Sequence, residues 1–320
     1  MSGAPALPDG ATDLALDPGV LGPEPTLEIQ GWSAAAATGG TAVLPWRSHA
    51  RAANGVIQAP HAAGLGLFTQ AVVRIGKGRR ATETDLAEAW EHLQPGGRLV
   101  LVGHNDVGIA TWAKRVAKTL GQSGEVLANR AHSRAVAFTR TDVQLTAPSD
   151  NQVPLPSGRA VAVAPGLFSG DGLDSGTALL LSALAEQPTV TSVADVGCGA
   201  GHLGVAAAEL WPSAQIWLLD ADQRAVRCAQ RNLPTAAVAW WDELDPWPAP
   251  EVDLALLNPP CHAGTANDVG VARRLFAAIR ARRLLVVANR QLPYEDDLER
   301  LGSLRQVADD GRFKVLEMTR

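Results

Sequence analysis

Val193-Ala194-Asp195-Val196-Gly197-Cys198-Gly199-Ala200-Gly201-His202-Leu203-Gly204 is the stretch whose reading decides the fold. A short apolar run carrying one acid ends in a glycine-rich turn, and a second apolar stretch then continues to Trp211-Pro212. Strand, glycine turn and helix in that order form the opening unit of a parallel α/β sheet. Glycines let the chain turn sharply and approach a ligand closely, while the helix start offers unpaired N–H groups. Nineteen residues past Gly201, Asp220 closes the next strand pattern and is followed by Ala221. A carboxylate there can accept from ribose hydroxyls.

Two cofactors compete for this loop. Gly199-Ala200-Gly201-His202-Leu203-Gly204 is a literal GxGxxG, the dinucleotide fingerprint. The same residues read as Asp-x-Gly-x-Gly-x-Gly from Asp195 through Gly197, Gly199 and Gly201, which resembles motif I of class I S-adenosylmethionine-dependent methyltransferases. Asp195 favours the second: a carboxylate two residues before the first glycine suits an ammonium-bearing ligand and sits badly near a pyrophosphate. His202, at the helix start, reads as a first-turn polar residue.

Outward from the loop, strands and helices alternate. Strands are predicted over 192–196, 215–219, 236–240, 252–257, 284–288 and 313–318, and helices over 177–186, 202–210, 222–232 and 268–282. Such alternation implies an α/β fold with a mostly parallel, doubly wound sheet. In the front half, a helix at 82–93 leads through Pro95-Gly96-Gly97 to a buried strand over 98–103, followed by a helix at 114–120 and a strand at 134–139. Gly97-Arg98-Leu99-Val100-Leu101-Val102-Gly103-His104-Asn105 echoes Arg282-Arg283-Leu284-Leu285-Val286-Val287-Ala288-Asn289, a hint of tandem related domains. The predicted boundaries are a loose lead-in over 1–28, a first domain over 29–146, a Pro-rich linker over 147–158 and a second domain over 159–320.

The composition sets limits. At 320 residues the chain suits two domains, and 46% apolar against 19% charged residues excludes wholesale disorder. No apolar run reaches the roughly 18–20 residues of a membrane span, and residues 1–28 have no basic segment ahead of an apolar core. A cytoplasmic protein is the expectation. Three cysteines without a CxxC pair and seven scattered histidines argue against disulfides or a metal site. Net charge is −5, but residues 29–150 carry 13 Lys/Arg against 8 Asp/Glu, a balance of +5 that permits a nucleic-acid surface. Lys77, Arg79 and Arg80, compact and glycine-flanked, are candidate phosphate contacts. Arg273, Arg274, Arg280, Arg282 and Arg283 read more readily as a solvated helix face.

A second motif completes the chemistry. Val252-Asp253-Leu254-Ala255-Leu256-Leu257 runs into Asn258-Pro259-Pro260-Cys261-His262. Two prolines stiffen the turn, leaving the Asn258 side chain and the Pro259 carbonyl as convergent acceptors for a planar NH2 group. Accepting both of its hydrogens holds the nitrogen lone pair toward an electrophilic methyl, so alignment supplies most of the rate.

With both motifs the C-terminal half resembles the bacterial small-subunit ribosomal RNA guanine 2-amino methyltransferases and their large-subunit relatives. The matching blocks are Pro165-Gly166-Leu167-Phe168-Ser169 with Leu173-Asp174-Ser175-Gly176-Thr177, the 195–201 loop, Asn258-Pro259-Pro260-Cys261-His262, Val287-Ala288-Asn289-Arg290-Gln291-Leu292-Pro293-Tyr294 and Gly311-Arg312-Phe313-Lys314-Val315. The resemblance implies two tandem Rossmann-like class I methyltransferase domains, the N-terminal one degenerate, with Arg74-Ile75-Gly76-Lys77 about where Asn-Pro-Pro would stand. It implies S-adenosylmethionine held by Asp195, Gly197, Cys198, Gly199, Gly201, Asp220, Ala221 and Asp242, with Phe168, Asp174 and Thr177 closing the pocket. Asn258, Pro259 and Pro260 would carry catalysis, and Cys261 and His262 would face the base. Cys261 departs from the aromatic usual at that position, where stacking is worth ~1–3 kcal/mol. The helix at 268–282 also lacks the usual Gly-Gly turn before the next strand. The implied partner is ribosomal RNA or a ribosomal subunit; two tandem domains suit a monomer, and the residue pattern leads to no expectation of a metal or a membrane. A protein glutamine or a DNA adenine also presents an NH2 to Asn-Pro-Pro, and a non-catalytic RNA-binding or assembly protein on the same fold is the reading that Cys261 feeds. NAD oxidoreduction leaves Asn258-Pro259-Pro260 unexplained.

Overall fold

The computed structural model describes residues 13–170, 172–260 and 269–320. The chain divides between Ser149 and Asp150 into two compact units.

The N-terminal unit contains β1 (Thr26–Ile29), α1 (Ser33–Thr38), β2 (Thr41–Val43), α2 (Arg47–Ala52), β3 (Ile57–Ala59), β4 (Phe68–Arg74), α3 (Arg79–Glu91), β5 (Leu93–His104), α4 (Ile109–Leu120), β6 (Glu125–Arg130) and β7 (Ser133–Thr139). Its sheet runs β3-β2-β1-β4-β5-β7-β6, parallel except at β7, which is antiparallel to both β5 and β6. The loose lead-in expected over 1–28 is corrected here for residues 13–28; residues 1–12 lie outside the described residues. Leu14–Leu16 form a 3-10 turn, Asp13, Leu14, Ala15 and Val20 are buried, and β1 begins at Thr26. The physical reason is local. Leu14 and Val20 pack with Val72 and Val100 of the sheet, and Asp13 is an ion-pair partner of Arg74.

The C-terminal unit opens with the antiparallel hairpin β8 (Asn151–Pro154) and β9 (Ala160–Val163), so the 147–158 stretch is strand as well as linker. Then follow α5 (Ser175–Ala185), β10 (Ser192–Val196), α6 (His202–Leu210), β11 (Gln215–Asp220), α7 (Gln223–Asn232), β12 (Ala237–Trp240), β13 (Val252–Leu257), α8 (Gly270–Ala278), β14 (Ala281–Asn289), α9 (Glu295–Glu299), β15 (Ser303–Asp309) and β16 (Phe313–Thr319). The sheet runs β12-β11-β10-β13-β14-β16-β15, with β16 antiparallel to its two neighbours. Counted from each unit's first sheet strand, the two orders are identical.

Parallel strands covered on both faces must be apolar on both. Val193, Leu218, Leu254, Leu256 and Leu285 belong to one apolar layer. Ala194, Val196, Leu219, Ala255, Leu257 and Val286 belong to the other, as period-two alternation requires. The helix expected over 268–282 is shorter. It ends at Ala278, Ile279 is extended (φ −64°, ψ 132°), and Ala281 and Arg283 pair with Val252 and Leu254. A ladder on both sides of β14 satisfies backbone groups that one more helical turn would have left at an exposed end.

Candidate active site

The carboxyl ends of β10, β11 and β13 bring the predicted motifs together. Gly197, Gly199 and Gly201 take left-handed φ values of 68°, 55° and 88°, which a side chain would strain. They lift the loop off β10 and set Gly201 as the N-cap of α6. Gly204 answers a different need. A Cβ there would stand 2.2 Å from Leu218 Cδ2, so any other residue would force the buried Leu218 side chain to shift.

Asp195 is buried at the end of β10. Its Oδ2 accepts from Gly204 N at 2.9 Å, while Oδ1 is buried without a hydrogen-bond partner. Burial pushes its carboxyl up to about 7, against the Gly204 N–H and with the Asp220 charge adding to the rise. Asp220 is likewise raised by burial, to about 6. Both its oxygens are engaged: Oδ2 accepts from Gly199 N and Oδ1 from Asp222 N, each at 2.9 Å. Asp220 therefore shapes the glycine loop from below as well as closing β11.

One cleft is lined by Asp195, the 197–200 loop, Asn258, Thr177, Phe168 and Ser169, together with His202 and Leu203. Gly201, Asp174, Asp220, Ala221, Asp242, Pro259 and Pro260 do not line it. Asp174 caps α5 and bonds the Asn258 side chain, whose nitrogen donates to Asp174 Oδ2 at 3.1 Å and to Thr177 Oγ1 at 2.9 Å. Asp242 is buried, and its Oδ1 accepts from Leu244 N to hold the turn after β12. Ala221 offers its carbonyl to Trp240 Nε1 at 3.0 Å, whereas Trp241 is in the core against Trp247. Pro259 and Pro260 are buried. Cys261 and His262 lie outside the described residues. Cys198 is buried and burial pushes its thiol well up, so it is a packing residue rather than a nucleophile.

Four cleft residues were not among the candidates read from the sequence: Ala200 and Leu203, which are apolar, and the polar His202 and Ser169. His202 is buried, its Nε2 has no partner, and burial lowers its pKa to about 4, so the ring is neutral. Ser169 holds φ 62° beside half-exposed Phe168. Only position pointed to these two: one follows the glycine loop, the other precedes Gly170.

Arg79 pairs with Glu83, Arg80 donates to the Ser149 carbonyl, and Lys77 is exposed, all within the N-terminal unit. Arg273 pairs with Asp297, Arg274 with Glu243 and Arg282 with Asp253. Only Arg273 and Arg274 lie on the exposed face of α8; Arg280 follows the helix, and the helix-face reading is corrected for Arg282 and Arg283, which belong to β14, where Arg283 is partly buried and donates to Gln187 Oε1 at 2.7 Å.

At the equivalent place in the N-terminal unit stands a buried ion cluster. Glu28 and Ile29 pair with Val72 and Val73 as Asp195 and Val196 pair with Leu256 and Leu257. By this register Glu28 is the counterpart of Asp195 and Arg74 that of Asn258. Arg74 is buried there, with Nε 2.7 Å from Glu28 Oε1, Nη1 2.5 Å from Asp13 Oδ1 and Nη2 2.6 Å from Ser33 Oγ.

Among the described residues no helix is long and apolar enough to cross a membrane, and no cluster of three His, Cys, Asp or Glu side chains suits a metal ion. Comparison with known proteins then places the chain. Residues 158–317 match the family model described as the methyltransferase small domain. The ribosomal RNA small subunit methyltransferase C of Pseudomonas aeruginosa (strain LESB58) is 32% identical over 276 residues, covering 81% of each chain. The ribosomal RNA large subunit methyltransferase G of Ectopseudomonas mendocina (strain ymp) is 31% identical over 280 residues, 80% of this chain and 72% of that one. In fold, the chain is similar to the T. thermophilus 16S rRNA N2 G1207 methyltransferase solved with AdoMet and guanosine: TM-score 0.79, 24% identity, 93% of this chain and 88% of that one. The chain belongs to the methyltransferase small domain family, among the ribosomal RNA methyltransferases of the C and G types that these relatives represent.

Proposed function

We propose that the protein transfers a methyl group from S-adenosylmethionine to the exocyclic 2-amino group of a guanine in ribosomal RNA, in the small subunit first. The observation that carries this reading is one cleft holding both an unpartnered buried carboxylate oxygen, Asp195 Oδ1, and the Asn258 amide at the next strand end. A buried anion without a partner fits an ammonium, and the glycine loop presents backbone where a methionyl and ribose moiety can lie. Asp195, Gly197 and Gly199 would hold the methionine and ribose side, with Asp220 and Ala221 behind the loop and Asp242 near the adenine. When bound, S-adenosylmethionine supplies an electrophilic methyl. Asn258 Oδ1 and the Pro259 carbonyl accept the two amine hydrogens and aim the nitrogen lone pair into the cleft. The amine nitrogen so aimed would take the methyl as the C–S electron pair left with sulfur, and the amine would give up one proton to solvent.

In this reading the N-terminal unit is the degenerate copy. Arg74 stands at the position of Asn258 and its guanidinium satisfies the acid that corresponds to Asp195, leaving neither an amine acceptor nor an orphan anion. Calorimetry is expected to give one S-adenosylmethionine per chain and no NAD binding. Two sites per chain would overturn the degenerate assignment. Purified small and large ribosomal subunits and their naked RNAs, assayed with labelled S-adenosylmethionine, then test the acceptor. Label in N2-methylguanosine is the expected product; label only in protein or in adenine overturns it.

Asp195 carries two further expectations. Asp195→Ala weakens S-adenosylmethionine binding by about 10–100-fold, since a charge-assisted bond contributes roughly 1.5–3 kcal/mol. Because an ammonium needs the ionised form of a carboxyl held at about 7, affinity rises roughly tenfold between pH 6 and pH 8 in the wild type. Unliganded stability has the opposite slope. A carboxyl raised from 3.8 to about 7 binds more protons folded than unfolded, so its contribution falls as pH climbs through that window. A flat calorimetric pH profile would remove Asp195 from the ammonium.

A further inference from the structure

We infer that Asp174 and Thr177 are positioning residues that lock the Asn258 amide with its oxygen, not its nitrogen, toward the acceptor amine. The inference rests on the methyltransferase reading and extends it to residues that act through Asn258. Three donors converge on one atom. Asp174 Oδ2 accepts from Thr177 N at 3.0 Å, from Thr177 Oγ1 at 3.4 Å and from Asn258 Nδ2 at 3.1 Å. Asn258 Nδ2 also donates to Thr177 Oγ1 at 2.9 Å. Its two hydrogens are therefore both spent within the protein.

The direction of the amide follows from chemistry. An ionised carboxylate only accepts, so the Asn258 atom facing Asp174 must be the NH2 group. Turning the amide over would set Oδ1 against Oδ2, lone pair to lone pair, and would present a donor to an amine that itself donates. The Thr177 hydroxyl fits only one order: it accepts from Asn258 and gives its own proton to Asp174. Asp174 is held in turn as the N-cap of α5, with φ −62° and ψ 141°, so a rigid helix start carries the lock. Space at this start is tight, because a Cβ on Gly176 would stand 3.1 Å from Asp174 Oδ2. A site built this way selects an N–H donor, such as an exocyclic amine, over a carbonyl.

The decisive variant is Asp174→Ser. Serine caps a helix as well as aspartate does, yet its hydroxyl is too short to reach Asn258. It is expected to lower kcat by about 10–100-fold while the Kd for S-adenosylmethionine and the KM for RNA stay within threefold. Asp174→Asn, whose amide oxygen can take the same three donors, is expected to restore kcat to within about threefold of wild type. Thr177→Val should fall like Asp174→Ser, and Thr177→Ser should recover. A second readout is independent of turnover: nitrogen-15 NMR of the Asn258 side chain, with both Nδ2 protons slow to exchange in the wild type and fast in Asp174→Ser. Equal kcat in wild type and Asp174→Ser, a loss confined to cofactor affinity, or unchanged Nδ2 protection would each overturn the lock. A wild type that methylates no RNA while keeping the protected amide would overturn the acceptor instead.

Discussion

Asn258→Ala is expected to lower kcat for RNA methylation by about 10²–10³-fold and to leave the Kd for S-adenosylmethionine within twofold or threefold of wild type. The magnitude is that of removing one preorganised polar group from a reacting centre. The selectivity comes from where the residues stand. Asn258 reaches the cleft from β13, one strand over from Asp195 and the glycine loop. Alanine removes the amide oxygen but leaves β10, the loop and the Asp195 carboxylate in place. Asp174 keeps its bond from Thr177 N, so α5 remains capped. Calorimetry and single-turnover kinetics on the same preparation measure both quantities. Losses of equal size in the two would move Asn258 from the acceptor side of the cleft to the cofactor side.

Arg74→Ala is expected to cost about 3–5 kcal/mol of stability in the N-terminal unit. Asp13, Glu28 and Arg74 are all buried, and the guanidinium bonds both carboxylates. Ser33 Oγ adds a bond to Asp13, Ala35 N donates to Glu28 Oε2 at 2.9 Å, and Ala15 N donates to Asp13 Oδ1 at 3.0 Å. Burial alone would raise the Asp13 carboxyl, but the bond and charge of Arg74, with Ser33 and Ala15, turn the balance and hold it below its usual range. Truncation removes the cation and leaves two carboxylates in the core. Arg74→Lys recovers only part of the loss, because an ammonium cannot reproduce the fork that spans both acids. Hydrogen exchange of the full chain, read in peptides covering β1 and β4, reports the opening of this unit directly. Protection in those peptides that matches wild type would mean the cluster is not what joins residues 13–28 to the sheet.

The two halves were unequally legible. The 195–204 loop, β10, α6 and β13 stand where their residues place them, because a glycine turn after an apolar run is a local signal. The N-terminal unit had few such signals. Its β1, β2 and β3 are four, three and three residues long, and β1 carries a charged residue at its centre. Glu28 reads as a surface residue until Arg74, 46 positions away, is brought beside it. The overrun of α8 has a similar origin: Arg280-Ala281-Arg282 continues a helix acceptably by propensity, and only pairing with β13 and β16 makes it strand.

Residue type and spacing alone determined the α/β class and the positions of the glycine-rich loop after β10 and the Asn258-Pro259-Pro260 turn after β13, since each depends on backbone conformations written within a dozen neighbouring residues. The tertiary structure decided the rest. It left Asp195 Oδ1 without a partner, turned the Asn258 amide against Asp174 and Thr177 from 84 and 81 residues away, and filled the equivalent place in the first unit with Arg74. Hydrogen-bond satisfaction and charge pairing in a buried site are properties of which groups meet, and that is settled only when distant strands are laid side by side.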